Sequence, residues 1–312
     1  MKYYLKSMEI LHYKGEIANM LDGKMKLRSF MFLPAHNTKF LDKAISCTAD
    51  AVILDLEDGV PSSKRPEARQ NIVSYAERGL LSGRRNIFIR INPIDTDDFV
   101  EDIEKLTLKE IDGLMPSKID SEKDIEFLDR LLDFYERKKG LPVGQFKLAP
   151  LIETTKGLDS IREIAKSSGR LIALCLGGED YLNDLGSVFT YQQSALSYPR
   201  AVLVNTARAN GLLPIDTPYL DIKDVDGFRE NEILAYKNGF AGCLILSPRQ
   251  IEAANEAFTP DHEKIELSRR VIAAVKEANE TGLSGVAMLD GTMVGPPMRK
   301  RAETVLKQID GQ

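Results

Sequence analysis

The chain is poor in cysteine and histidine, lacks any long apolar run and carries no surplus of positive charge, and each shortage closes a class of function. Cys47, Cys175 and Cys243 are its only cysteines. Their odd number, with no Cys-x-x-Cys pair, argues against a disulfide framework and against a zinc site, and favours a reducing cytoplasm. Cys175 and Cys243 sit inside apolar runs and read as buried thiols. The three histidines, His12, His36 and His262, are too scattered for a zinc centre. No stretch approaches the roughly 18 consecutive apolar residues of a transmembrane helix. The opening MKYYLKSMEILHYKGEIANM carries charges throughout, unlike the apolar core of a signal peptide. A net charge of −5 leaves no footprint for a nucleic-acid backbone, although one small polyanion needs only a few local cations. Neither Gly-x-Gly-x-x-Gly nor Gly-x-x-x-x-Gly-Lys-Ser/Thr occurs, which removes two common nucleotide-binding turns.

What remains is an ordinary globular composition, 43% hydrophobic and 29% charged over 312 residues. Short apolar runs recur: SFMFLP from Ser29, AVILDL from Ala51, NIFIRI from Asn86, IDGLMP from Ile111, KLAPLI from Lys147, LIALCL from Leu171, LLPID from Leu212 and AGCLIL from Ala241. They are nearly continuous rather than alternating, as parallel strands covered on both faces should be. Between them lie stretches such as TKFLDKAISC, DIEFLDRLLDFYERK and GLDSIREIAKS, with apolar residues at helical spacing. Eight β-then-α units predict an α/β fold of the TIM (β/α)₈ barrel type. The expected organisation is an N-terminal extension over 1–27, the barrel over 28–260, and a C-terminal helical and loop appendage over 261–312. That appendage is placed to cover a barrel mouth, its own or a neighbour's.

Active sites of such barrels form at the C-terminal ends of the strands. There the sequence places Asp55, Glu57 and Asp58 after strand two, Arg90 and Asn92 after strand three, Lys118 after strand four and Glu153 after strand five. Gly177-Gly178-Glu179-Asp180 follows strand six and Asp216 ends strand seven. One acidic residue at a strand end most often caps the next helix or pairs with a cation. Glu153 instead interrupts an apolar strand end, and Asp180 follows a glycine pair that admits close backbone approach. Two such carboxylates with room for water and substrate suit Mg²⁺, which takes oxygen ligands.

The motifs RSFMFLPAHNTKF, DAVILDLEDGVPSSKRPEAR, RINP, MPSK, LIETTKGL, GGEDY and PIDTPYLDIKDVDGF, in this order, resemble the citrate lyase beta-subunit-like family, which includes malyl-CoA and citramalyl-CoA lyases. The resemblance runs from about Arg28 to the C-terminal helix. It implies a carbon–carbon lyase that cleaves a 3-hydroxyacyl thioester into an acyl-CoA and a 2-oxo acid. Glu153 and Asp180 match the family's Mg²⁺ ligands, Arg90 its substrate-contacting arginine, and Lys39 a CoA-contacting lysine; a fixed cation such as Arg90 suits the enolate charge that develops as the bond breaks. The Gly177 and Gly178 amides are placed to hold the substrate carboxylate. Two departures stand out. The family's Gly-x-Met-Ile-Asp motif, whose aspartate moves a proton across a subunit interface, reads Gly291-Thr292-Met293-Val294-Gly295 here, and Ser247 replaces the histidine of Ile-His-Pro-x-Gln-Ile. Asp290, Glu57 and Asp58 are the substitute bases. The resemblance further implies a homo-oligomer, commonly a trimer. It leaves two alternatives: the beta subunit of a citrate lyase working with acyl-carrier and transferase subunits, and a non-catalytic paralogue that binds Mg²⁺ and a 2-oxo acid.

Overall fold

A computed structural model describes residues 26–84, 86–188, 194–281 and 285–310. The expected N-terminal extension, His12 included, lies outside them apart from residues 26 and 27. Strands β1 (Ser29–Pro34), β2 (Ala51–Asp55), β3 (Ile87–Ile91) and β4 (Gly113–Pro116) lead into a two-piece β5, Lys147–Leu148 and Leu151–Ile152. Strands β6 (Ala173–Leu176), β7 (Leu213–Asp216) and β8 (Gly242–Ile245) follow. Every neighbouring pair is parallel, in the order β5-β4-β3-β2-β1-β8-β7-β6-β5.

The first piece of β5 pairs with β4 and the second with β6, so the broken strand closes the ring. The break falls at Ala149-Pro150, where proline has no N–H for a ladder. Both residues still bond: Ala149 donates to the Leu114 carbonyl at 3.0 Å, and the Pro150 carbonyl accepts from Cys175 at 3.0 Å. All eight expected runs are strands of one closed TIM-type barrel.

The continuous hydrophobicity of the runs resolves into two alternating sets. Phe30, Ile53, Phe88, Met115, Leu151, Cys175, Ile215 and Leu244 form one buried cluster, with at least one member from every strand, and fill the barrel. Their neighbours, such as Met31, Leu54, Ile89, Leu174, Cys243 and Ile245, form the larger cluster beneath the helices. Cys175 and Cys243 are buried thiols, one in each set, and the three cysteines are free.

The helices are α1 (Thr38–Ser46), α2 (Arg65–Glu77), α3 (Asp97–Leu106), α4 (Glu122–Lys138), α5 (Thr155–Asp159) and α6 (Ile161–Ile164). Next come α7 (Gly178–Asp184), α8 (Ser197–Ala209), α9 (Val225–Lys237), α10 (Ile251–Ala257), α11 (His262–Glu280) and α12 (Pro296–Asp310). α4 starts at a capping box in which Ser121 and Asp124 satisfy each other's backbone amides. The stretch GLDSIREIAKS, expected as one helix, is split at Ser160, which leaves the helical region at ψ 4° and turns its amide to Leu158 and Lys156. Short polar side chains such as Asp159 and Ser160 favour such interruptions.

Residues 285–294 are more regular than their glycines suggest. Ala287–Leu289 (β9) and Thr292–Val294 (β10) form an antiparallel hairpin. Its two-residue turn has Asp290 at φ 49° and Gly291 at φ 78°, and positive φ at both positions is what a right-twisted hairpin needs. Hairpin and helices share a small core of Val271, Val275, Val294 and Ala302. Among the described residues no helix is long and apolar enough to cross a membrane.

Candidate functional site

The alternation that fills the barrel continues one step further along several strands. Asp55 follows Ile53, Arg90 follows Phe88, Glu153 follows Leu151 and Gly177 follows Cys175, each at two-residue spacing. The layer above the apolar interior is therefore charged. Asp55, Arg90, Glu153 and Gly177 line one cavity of about 350 Å³ with Asp58, Gly178, Glu179 and Asp180; Phe32, Pro218, Leu220 and Leu246 give it an apolar side.

Asp55 and Arg90 face each other in the β2–β3 register. Arg90 donates from Nε to Asp55 Oδ1 at 2.6 Å and from Nη2 to Oδ2 at 2.7 Å. The same two oxygens accept the amides of Glu57 and Gly59, each at 3.0 Å, so the turn after β2 folds around Asp55. Arg90 Nη1 lies 3.0 Å from Glu57 Oε2, an ion pair not aligned as a hydrogen bond, and 3.7 Å from Asp58 Oδ2. The guanidinium also sits 4.8 Å from the centre of the Phe32 ring. Burial is the largest influence and works against its charge, but Asp55, Glu57 and Asp58 together outweigh it and raise the pKa above the ordinary arginine value. Arg90 is a fixed cation.

Glu153 is 2% exposed. Its Oε1 accepts the Lys118 amide at 2.7 Å. The neighbouring strand leaves room only because residue 177 is glycine, since a Cβ there would fall on the Glu153 side chain. Burial, with the negative charges of Glu57 and Asp180, pushes the Glu153 carboxyl up to about 8. Asp180 lies in the first turn of α7 and is raised as well, by burial and by Asp58. Glu57 is also raised, chiefly by burial, while Arg90 and Lys118 pull it down. Five carboxylates, Asp55, Glu57, Asp58, Glu153 and Asp180, thus gather around two cations, Arg90 and Lys118. More carboxylates than cations, all of them oxygen donors, fit a hard divalent cation. Among the described residues no group of three or more His, Cys, Asp and Glu side chains surrounds one point. Glu153 and Asp180 are two oxygen donors in one cavity wall.

The structure sorts the remaining candidates by place. Lys39 is exposed in the first turn of α1, at the β1 end nearest the cavity but not in its wall. Gly177 and Gly178 are in the wall, yet their amides are committed within the fold. Gly177 donates to the Ile152 carbonyl at 3.1 Å and Gly178 to Thr217 Oγ1 at 2.9 Å. The expectation that these amides hold a substrate carboxylate is corrected accordingly: the glycines serve by their small size. Asp58 is in the wall with its side chain 55% exposed. Glu57 is buried behind Arg90 and Lys118. Asp290 sits at the hairpin turn, where both its oxygens accept from Arg270 at 2.7 Å, and it is not in this chain's cavity wall. Asp216 is fully buried against Arg200 Nε at 2.9 Å. Ser247 caps a short helical turn, and Gln250 Oε1 accepts the Leu246 and Ser247 amides while Nε2 donates to the Tyr219 carbonyl. Ser247-Pro-Arg-Gln250 therefore ties β8 to the loop that carries Pro218 and Leu220.

Two of the strand-end charges have roles that position along the chain does not give. The in-register place of Asp55 opposite Arg90 makes it the clamp. Lys118 touches both Glu57 and Glu153.

The profile of the HpcH/HpaI aldolase/citrate lyase family matches residues 28–248. The chain is 33% identical over 280 residues to the citrate lyase subunit beta of Leuconostoc mesenteroides subsp. cremoris, covering 90% of this chain and 92% of that protein. It is 28% identical over 303 residues to the L-malyl-CoA/beta-methylmalyl-CoA lyase of Rhodobacter capsulatus, covering 91% and 94%. Among solved structures it resembles CitE from Mycobacterium tuberculosis in complex with magnesium, acetoacetate and coenzyme A. That likeness has a TM-score of 0.75 at 28% identity and covers 90% of this chain and 97% of the other.

Proposed function

The chain belongs to the HpcH/HpaI aldolase/citrate lyase family, and from that premise we propose that it is a Mg²⁺-dependent carbon–carbon lyase. Its substrate is a 3-hydroxy-dicarboxylyl thioester of the malyl-CoA or citramalyl-CoA kind, or a citryl thioester, cleaved into an acyl thioester and a 2-oxo acid. The observation that carries this reading is the Glu153–Asp180 pair: two carboxylates in one cavity wall, both raised in pKa, in a layer with more negative than positive charge. The magnesium, acetoacetate and coenzyme A in the related CitE complex support the same site chemistry.

Glu153 and Asp180 would hold the metal, which when bound acts as a Lewis acid on the substrate hydroxyl and orients the bond to be broken. Asp58 takes the hydroxyl proton; of the three substitute bases it is the one in the cavity wall. The electron pair of the broken carbon–carbon bond moves to the thioester as an enolate, and Arg90, held rigid by Asp55, stabilises the charge on its oxygen. The proton returned to the enolate carbon completes the acyl thioester. Lys39 at the rim meets the anionic part of the thioester carrier. Three free thiols fit a reducing cytoplasm, and family likeness favours a homo-oligomer, a trimer by preference, detectable by light scattering.

Purified protein with Mg²⁺ and malyl-CoA, citramalyl-CoA or citryl-CoA should release glyoxylate, pyruvate or oxaloacetate from at least one of them, and Asp58→Asn should slow the step by roughly 10²–10⁴. No cleavage or condensation with any of them, nor with a citryl thioester on an acyl-carrier protein, overturns the proposal. The 33% identity to a citrate lyase beta subunit favours one variant, a thioester carried on an acyl-carrier protein and supplied by a transferase subunit. Turnover with the carrier thioester but not with free CoA would select it. Gly295 favours a second, binding of metal and 2-oxo acid without turnover, which any ordinary rate in the same assay excludes.

A further inference from the structure

Lys118 has no part in the chemistry above, yet it touches two of the carboxylates around the cavity. It stands just beyond β4 with φ 52°, a left-handed conformation that residues with long side chains seldom take. This turn aims its amide at Glu153 Oε1, 2.7 Å away just beyond the neighbouring strand. Its ammonium group reaches Glu57 Oε1 at 3.0 Å, and Asp58 and Asp180 are both near enough to act on its charge. Glycine would supply the same amide without strain, so lysine is needed here for its ammonium group. Glu57 is held at its other end by Arg90 Nη1 at 3.0 Å, and it stays out of the cavity wall that Glu153 and Asp180 share.

We infer that Lys118 is a positioning residue with two arms: its amide fixes one oxygen of Glu153 and leaves the other for a divalent cation, while its ammonium group holds Glu57 back from that cation. The metal then meets two carboxylates rather than three, and keeps positions open for water and substrate. This rests on the metal-binding reading of Glu153 and Asp180.

Calorimetric titration of Mg²⁺, repeated with Mn²⁺, into wild type, Lys118→Met, Lys118→Gly and the double variant Lys118→Met/Glu57→Gln separates the two ideas. Loss of one positive charge and release of a third carboxylate should tighten metal binding by roughly threefold or more in Lys118→Met. Lys118→Gly, which keeps the amide and relieves the backbone, should do the same and guards against a misfolded methionine variant. The double variant removes one charge of each sign and should return to within about twofold of wild type. A lysine that only supported the fold would give weaker binding on removal. Unchanged or weaker binding in both single variants overturns the inference while a wild type that binds leaves the metal reading standing. A double variant as tight as Lys118→Met overturns the part given to Glu57. A wild type that binds neither ion removes both readings.

Discussion

Asp55→Asn is the most informative single substitution at the cavity, because four donors converge on the two oxygens of Asp55. Oδ1 accepts Arg90 Nε and the Glu57 amide, and Oδ2 accepts Arg90 Nη2 and the Gly59 amide. An asparagine offers one oxygen and one NH₂. Whichever way it turns, one guanidinium N–H and one backbone N–H face a donor instead of an acceptor. The side chain cannot rotate away, since Gly59 packs so closely that a Cβ there would fall on Asp55. Asp55 is 2% exposed and the Arg90 side chain 11%, so water does not replace the lost acceptor. Breaking a buried ion pair on one side costs about 3–5 kcal/mol, a fall in Tm of roughly 5–10 °C for a domain of this size. Arg90 would also lose its aim at the developing oxyanion, for a further loss of about 10²–10³ in kcat. Circular-dichroism melting and steady-state turnover read the two effects separately. A Tm within about 2 °C of wild type together with unchanged kcat would refute the clamp.

Gly177→Ala puts a methyl group onto the Glu153 side chain, and metal affinity measured by calorimetry should fall by roughly tenfold or more; an unchanged affinity would mean that Glu153 is not held by that contact. Glu232 is fully buried and pushed up to about 8 by burial and by the charge of Asp216. The native state keeps a proton there that the unfolded chain loses near the ordinary carboxylate range, so stability falls as pH rises from about 4.5 to 8. Glu232→Gln has no such proton to lose, and its Tm should gain on wild type steadily across that window; a constant difference would refute the assignment. Asp290→Asn removes an exposed ion pair with Arg270 and should change stability by less than about 1 kcal/mol. Turnover should stay within about twofold in a standard lyase assay, whereas a hundredfold loss would move the base from Asp58 to the hairpin.

The barrel was legible because parallel strands covered on both faces must be apolar at every position, and each of the eight runs is such a strand. The place of Glu153 in the cavity wall is legible for a related reason: it breaks an apolar run where nothing but a ligand or a partner could satisfy it. Asp55 was readable in principle, since Ala51, Ile53 and Asp55 share one parity and the first two fill the barrel. Counting it as one more strand-end acid concealed that it faces Arg90. The turn at Asp290-Gly291 is a strong hairpin signal, hidden by strands of three residues each. Lys118 was not readable. Nothing in Met-Pro-Ser-Lys announces a left-handed backbone, which goes with tertiary contacts to Glu57 and Glu153, residues that follow other strands. The amides of Gly177 and Gly178 were misjudged because a glycine pair signals close approach without saying what approaches. Here it is Glu153 and Thr217.

A crystal structure with Mg²⁺ and a 2-oxo acid tests the central claim most directly. The account predicts one cation bound at about 2.0–2.1 Å by an oxygen from each of Glu153 and Asp180, with the 2-oxo acid on its open side and Glu57 still on Lys118. A cation bound away from these two carboxylates, or none at saturating Mg²⁺, would contradict it.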